Sequence, residues 1–296
     1  MESVPNFSEG RRPEVVEQIA NAARSVAGIR LLDVHSDHDH NRSVLSLAGE
    51  AEPLQEAVFR SIARATELID LRNHTGEHPR VGATDVVPFI PLGETTMQEA
   101  IEAARAVGRR VADELQIPVY FYEEAAERPN RQNLENVRRK GFEELREVIE
   151  HDDDRAPDLG PRRVHPSAGA IVVGARRPLI AYNIYLNTDD LRIAKAIART
   201  IRQSTGGLRY VKALGLAIPA RGQVQVSMNL TNYQRSAIHT VFNLVRSEAD
   251  SYGVSITDSE VVGLIPLEAL VDAARFFLRL HEFDADQILE TKLMGE

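Results

Sequence analysis

The chain has 296 residues, 43% of them apolar and 27% charged, with a formal charge of −9 and no cysteine. That length accommodates one large or two ordinary domains of a soluble globular protein, and without cysteine there can be no disulfide, no thiolate nucleophile and no cysteine metal site. The acidic balance argues against a general nucleic-acid binder, no apolar run is long enough to cross a bilayer, and the N-terminus lacks the order of a secretory signal, so a cytoplasmic location fits.

In chain order, Ser3 to Ser8 reads as a short strand, and Pro13 opens a helix that runs to about Ala27, before Gly28. Ile29 to Val34 and Ser43 to Ala48 read as strands, and Pro53 opens a helix carrying Leu54, Ala57, Val58, Ile62, Ala65, Leu68 and Ile69 on one face. Asp85 to Ile90 is the next strand. A helix from about Thr96 to Leu115, a strand at Val119 to Tyr122, a charged helix from Asn133 to Ile149 and a strand at Ala170 to Val173 follow. A second series starts at Leu179: strand to Leu186, helix Asp189 to Gln203 capped by Asp189 or Thr188, strands Tyr210 to Ile218 and Val224 to Leu230, helix Tyr233 to Tyr252, strand Val254 to Val262 and helix Pro266 to Leu280. Each series contains strand, helix, strand, strand, helix, strand. The expected fold is therefore α/β (α+β), with two ferredoxin-like βαββαβ subdomains, 1–177 and 178–296.

One stretch concentrates chemistry. His74-Thr75-Gly76-Glu77-His78-Pro79-Arg80-Val81-Gly82-Ala83-Thr84-Asp85 holds two histidines, an arginine, two acids and two glycines ahead of the apolar run Val86 to Pro91. Glycines let backbone approach a ligand closely, and Pro79 biases His78 towards an extended conformation. A histidine there can take and return a proton near neutral pH, which makes His78 the catalytic candidate.

This stretch resembles the catalytic segment of glutamate formiminotransferase. The resemblance extends through Val4-Pro5-Asn6-Phe7-Ser8-Glu9-Gly10, Leu31-Leu32-Asp33-Val34, Asn41-Arg42-Ser43-Val44, His165-Pro166-Ser167-Ala168-Gly169-Ala170 and Val173-Gly174-Ala175-Arg176. It continues through Val211 to Gly215, Gln225 to Leu230 and Val262 to Leu267, in the family's order over nearly the whole chain. The family implies two α/β subdomains flanking a substrate tunnel, and transfer of a formimino group from N-formimino-L-glutamate to nitrogen 5 of tetrahydrofolate. Tetrahydrofolate would be a co-substrate, carried as its polyglutamate, and a cytoplasmic homodimer with no nucleic-acid or membrane partner is expected. Related donors, formylglutamate or formiminoglycine, and a non-catalytic folate-binding protein are the alternative readings. An RNA-binding module would need basic faces with strand aromatics, which this chain lacks.

By resemblance, Gly160, Pro161, Pro166, Gly169 and Ala170 match the family's folate-contacting loop, which also holds His165, and Asn41 ends a loop that lines the site. Arg162-Arg163 and Arg176-Arg177 bracket that folate loop, and four arginines around it suit anion binding. Arg42, Arg80 and Arg176 lie in matching segments, unlike scattered helix arginines such as Arg105 or Arg138, and are expected to line one cleft and hold substrate carboxylates. The run His35-Ser36-Asp37-His38-Asp39-His40 offers metal-ligand types, but its spacing matches no standard site, and no metal is expected.

Overall fold

The computed structural model describes residues 1–38, 40–76 and 79–294. The chain divides into two compact units, Met1–Arg176 and Arg177–Glu296. The first contains β1 (Glu2–Ser3), β2 (Asn6–Phe7), α1 (Pro13–Arg24), β3 (Arg30–Asp37), β4 (Arg42–Ala48), α2 (Ala51–Leu68), β5 (Thr84–Ile90), α3 (Met97–Leu115), β6 (Val119–Glu123), α4 (Leu134–Val137), α5 (Gly141–Val148) and β7 (Ile171–Ala175). The second contains β8 (Ile180–Leu186), α6 (Leu191–Ile201), β9 (Val211–Ile218), β10 (Gln223–Leu230), α7 (Ile238–Ser251), β11 (Ile256–Val262), α8 (Leu267–Leu278) and α9 (Leu289–Met294).

The first sheet runs β3, β4, then β1 and β2 end to end, then β5, β7 and β6. β5, β7 and β6 are parallel; the other pairings are antiparallel. Strand alternation sorts its residues. Phe7, Leu45, Leu47, Val87, Phe89, Phe121 and Val173 pack under α1, α2 and α3, against Ile19, Leu54, Ile62 and Val107. Each such fully buried side chain contributes about 1.5–3 kcal/mol relative to exposure. Val86, Val172, Tyr120 and Tyr122 face the other way, beneath Val137, Leu145 and Ile149. α3 starts with a reciprocal cap between Thr96 and Glu99, which fixes where the helix leaves β5.

The second sheet has the order β11-β8-β10-β9, entirely antiparallel. Ile180, Tyr182, Ile184, Leu186, Val224, Val226 and Met228 pack against Ala194, Ile197, Val241 and Val245 of α6 and α7. The alternate residues form a more polar face. On it Asn183 and Tyr185 donate to Glu260 at 3.2 and 2.8 Å, and Leu214 is 60% exposed.

Four local expectations need correction. The first strand breaks at Val4-Pro5 into β1 and β2. β3 continues through His35, Ser36 and Asp37, which pair with Val44, Ser43 and Arg42, because a partner strand there outweighs their polarity. The charged helix from Asn133 to Ile149 is two helices, broken where Lys140 and Gly141 both adopt positive φ, 60° and 73°. Asp190, one residue beyond the expected caps, accepts from the Arg192 N–H and starts α6.

Candidate active site at the start of the fifth strand

Leu71 and residues 81–83 are stitched to the segment 165–170 by backbone. Gly82 pairs with Gly169. Ala83 N–H donates to Ala168 O at 2.9 Å, Ala170 N–H to Val81 O at 2.9 Å and Leu71 N–H to Ser167 O at 2.8 Å. Glycine is required at Gly82, where a Cβ would fall 1.8 Å from the Ala170 carbonyl oxygen. Ser8 fastens this crossing to the first strand, its hydroxyl donating to Gly82 O at 2.7 Å.

Asn41 closes another side. It adopts φ 49°, accepts from Gly10 N–H at 3.0 Å and donates to Thr75 O at 3.0 Å. Its own carbonyl lies 3.1 Å from His74 Nε2. A carbonyl can only accept, so Nε2 carries the hydrogen and Nδ1 presents a lone pair, which is buried without a partner. Burial lowers the His74 pKa; the bond to Asn41 and the Glu9 charge oppose that, while the Arg80 and Arg11 charges add to it. The ring is therefore neutral at pH 7. Arg80 Nη2 spans from His74 O at 3.1 Å to Glu143 Oε1 at 2.8 Å. Glu77 and His78, the catalytic candidate, lie outside the described residues, as does Asp39 of the histidine-rich run.

A charged cluster sits at the start of β5. Asn6 pairs with Val86 but Phe7 with Thr84, so Asp85 is the extra residue of a bulge. Asp85 is buried. Its Oδ1 accepts from Val81 N–H at 2.9 Å, and its Oδ2 lies 2.5 Å from Arg138 Nη2 and 4.0 Å from Arg42 Nη1. Arg42 Nε also donates to Asn6 Oδ1 at 3.0 Å. Burial, and then repulsion from Arg138, push the Arg42 guanidinium down to about 10, against the pull of Asp85 and Tyr122. The Tyr122 hydroxyl is pushed up by burial and held back by Arg176 and Arg138.

The sequence-derived candidates are thus distributed. Asn41, Arg42 and Arg80 gather around the loop, with His74 and Asp85. Gly169 and Ala170 join them through backbone. His165 bonds to Gly169 in both directions, and its Nδ1 accepts from Ala168 N–H at 3.0 Å and from Ser167 N–H at 3.4 Å. Burial lowers its pKa, so it too is neutral. Pro166 is exposed at the tip of this turn. Gly160 and Pro161 line a surface groove of about 480 Å³ with Ala112, Asp113, Gln116, Glu150, Arg162 and Arg163. Arg162 turns towards Ile149 O and Asp153, at 3.0 and 2.7 Å. Arg176 follows β7, its N–H on Phe89 O, roughly 20 Å of strand beyond Gly169. Its side chain acts on Tyr122 and Glu2. Arg105 stays on α3, but Arg138, grouped with it on sequence, reaches Asp85. The signal for that was Gly141, which interrupts the expected helix Asn133 to Ile149 and starts α5. Among the described residues no group of three or more His, Asp or Glu is placed to hold a metal ion.

The profile of the formiminotransferase domain, N-terminal subdomain, matches residues 1–176, and that of the formiminotransferase domain matches residues 181–292. The chain belongs to the formiminotransferase family. A glutamate formimidoyltransferase from Streptococcus pyogenes serotype M1 is 46% identical over 296 residues, covering 100% of this chain and 99% of that relative. Its counterpart in Thermoplasma acidophilum is 47% identical over 295 residues, 99% of this formiminotransferase and 97% of the relative. The formimidoyltransferase-cyclodeaminase of Rattus norvegicus is 41% identical over 283 residues, 94% of this chain but 52% of the longer rat protein.

Proposed function

We propose that this formiminotransferase moves the formimino group from N-formimino-L-glutamate to nitrogen 5 of tetrahydrofolate, giving glutamate and 5-formiminotetrahydrofolate. The observation that carries the reading is end-to-end similarity, at 46% and 47% identity, to two glutamate formimidoyltransferases. The same reading takes the protein as a cytoplasmic homodimer that uses folate polyglutamate and no metal; sedimentation and elemental analysis test the oligomeric state and the metal.

The chemistry is addition and collapse at an amidine carbon. Nitrogen 5 attacks the formimino carbon and loses its proton, and the bond from that carbon to the glutamate nitrogen breaks as that nitrogen gains one. A single base between the two nitrogens can serve both steps, and His78 is assigned that role from its place in the loop. The neutral His74, Asn41 and Arg80 are the described groups nearest to His78 in sequence or bonded to those that are, and holding both substrates in line supplies much of the barrier lowering, on the order of 7–11 kcal/mol at best. The turn at His165 to Ala170, stitched to that loop, is assigned to folate contact, with Gly160 and Pro161 preceding it. Arg42, Arg80 and Arg176 are assigned to the anionic substrates.

The test is turnover by purified protein with tetrahydrofolate and each donor in turn. Formation of 5-formiminotetrahydrofolate from formiminoglutamate, faster than from formiminoglycine and without 5-formyltetrahydrofolate from formylglutamate, is the expected result. Transfer only from a different donor would replace the substrate, and folate binding with no transfer would leave a binding protein.

A further inference from the structure

We infer that the outer face of α8 joins two copies of this chain, packing antiparallel against the same face of a second copy about a two-fold axis. The inference rests on the reading of the protein as a homodimer and says where that dimer is made.

α8 is apolar on two sides. Its inner side is satisfied within the second unit. Ala269 and Val271 are buried, Phe276 stacks on His239 of α7 with ring centroids 4.5 Å apart, and Phe277 meets Phe242 edge-on at 6.0 Å. Leu267, Leu270, Ala274, Phe277 and Leu278 recur at i, i+3, i+7, i+10 and i+11, which places them on a further stripe. That stripe is open to water: Leu267 is 44% exposed, Leu270 47%, Phe277 49% and Leu278 69%. Leu264 and Leu280 extend it at either end, at 47% and 38%. Side chains this open leave on the order of 500 Å² of mostly apolar surface in water, near the upper end of the largest patch on a typical monomer, about 300–600 Å². With the charged residues beside the stripe, the face reaches about the 800 Å² per partner that a standard interface buries. α6 shows how the same unit finishes a helix that stays in water, exposing Arg192, Lys195 and Arg199 and no large apolar side chain.

The charges select the occupant. Glu268 and Asp272 stand in the first half of α8, Arg275 in its last turn and Arg279 at its C-terminal cap. Their spacing of i, i+4, i+7 and i+11 puts all four on one flank of the apolar stripe. A helix that meets its own copy about a two-fold axis does so antiparallel, and wherever residue i faces j, j also faces i. Setting Glu268 opposite Arg279 of the second copy sets Asp272 opposite Arg275, Leu270 opposite Phe277 and Leu267 opposite Leu280, since each pair is equidistant from the point between Ala273 and Ala274. Acid meets base and apolar meets apolar along the whole face. The small alanines at the centre let the two helix axes approach closely. Within one copy Arg275 lies 3.1 Å from Asp272 and 3.6 Å from Glu268, so the rim closes as a network of acids and arginines from both copies.

Sedimentation of the full chain over a range of concentrations reads the dimer. The wild type should be dimeric. Leu270→Asp should weaken association at least about 100-fold, because its carboxylate would be buried against an aromatic ring without a partner. Glu268→Arg should weaken it about tenfold by setting like charges opposite each other in both halves, and adding Arg279→Glu should restore it. That rescue is not expected if the two residues act only within their own helix. The chain has no cysteine, so Ala274→Cys is a probe without background. Mild oxidation should link it into a covalent dimer, whereas Gln98→Cys, exposed on α3, should stay unlinked. A dimer of unchanged strength in Leu270→Asp, or no cross-link at Ala274→Cys, would give this face to another occupant and overturn the inference. A wild type that is monomeric at every concentration would instead overturn the homodimer reading beneath it.

Discussion

The two units have the same four-strand plan and differ in how faithfully they execute it. In the second, the order β11-β8-β10-β9 is the ferredoxin-like order, and β8, β9 and β10 pair without interruption over seven and eight residues. Its single register shift falls on the edge strand β11. In the first, the same order is read from β5 back to β3, but the first strand is broken at Val4-Pro5 and β5 bulges at Asp85. Asn41 takes positive φ just before β4, and two parallel strands extend the sheet beyond β5. Regular pairing satisfies every backbone group but fixes each side chain to its alternating face. The irregular unit gives up that regularity where charged side chains must share a face. The bulge turns Asp85 to the side of Arg42 and Arg138, and the Gly82–Gly169 crossing brings two loops within backbone contact. Irregularity of this kind is concentrated where function is built and is held there by the surrounding structure.

The sharpest way to break the comparison is to remove the proposed base. His78→Ala should lower kcat by roughly 100-fold or more with folate binding nearly intact. Near-wild-type turnover would leave the first unit's loop without its assigned role.

The strand–helix order was legible in the sequence because periods of 2 and 3.6 survive in Leu45-Ser46-Leu47, in Tyr182 to Leu186 and in the buried faces of α1, α2 and α6. The candidate loop was legible from residue types and from resemblance. What was not legible depends on partners distant in sequence. The strand character of His35 to Asp37 comes from pairing with β4, and nothing local announces it. The bulge at Asp85 is defined only by where Asn6 and Phe7 fall opposite it. Arg138 read as one charge among many on a long helix until Lys140 and Gly141 turned the chain.

A second, smaller effect separates the units by glycine. Gly82→Ala forces a Cβ against the Ala170 carbonyl, and overpacking at such a contact costs about 1–3 kcal/mol. Because the strain falls on the crossing that carries the loop, kcat/KM should drop at least about tenfold even in protein that remains folded. Gly222→Ala, at φ 60° between β9 and β10 with nothing within 4 Å, should cost about 1–2 kcal/mol from backbone strain alone and leave turnover unchanged. Equal effects on activity would remove the distinction between the units.

The smallest expected effect is in pH dependence. The folded pKa of His74 lies below its ordinary value. As pH falls from about 6.5 towards that lower value, the unfolded chain binds the proton first. The contribution of His74 to stability is therefore complete above about pH 6.5 and is lost as pH falls through this window. His165 and His239 shift in the same direction. His74→Gln, which keeps a donor for the Asn41 carbonyl, should make the fall in Tm between pH 6.5 and 5 shallower without abolishing it. A slope identical to wild type would mean that His74 is not held neutral by its surroundings.

The central claim is that transfer takes place at the irregular end of the first sheet. A crystal structure with glutamate and 5-formiminotetrahydrofolate bound tests it most directly. The account predicts the formimino nitrogen beside the segment His74 to Arg80, a glutamate carboxylate within hydrogen-bond reach of Arg42 or Arg80, and the folate along the turn His165 to Ala170. Ligands bound only to residues of the second unit, with the face around Asp85 empty, would contradict it.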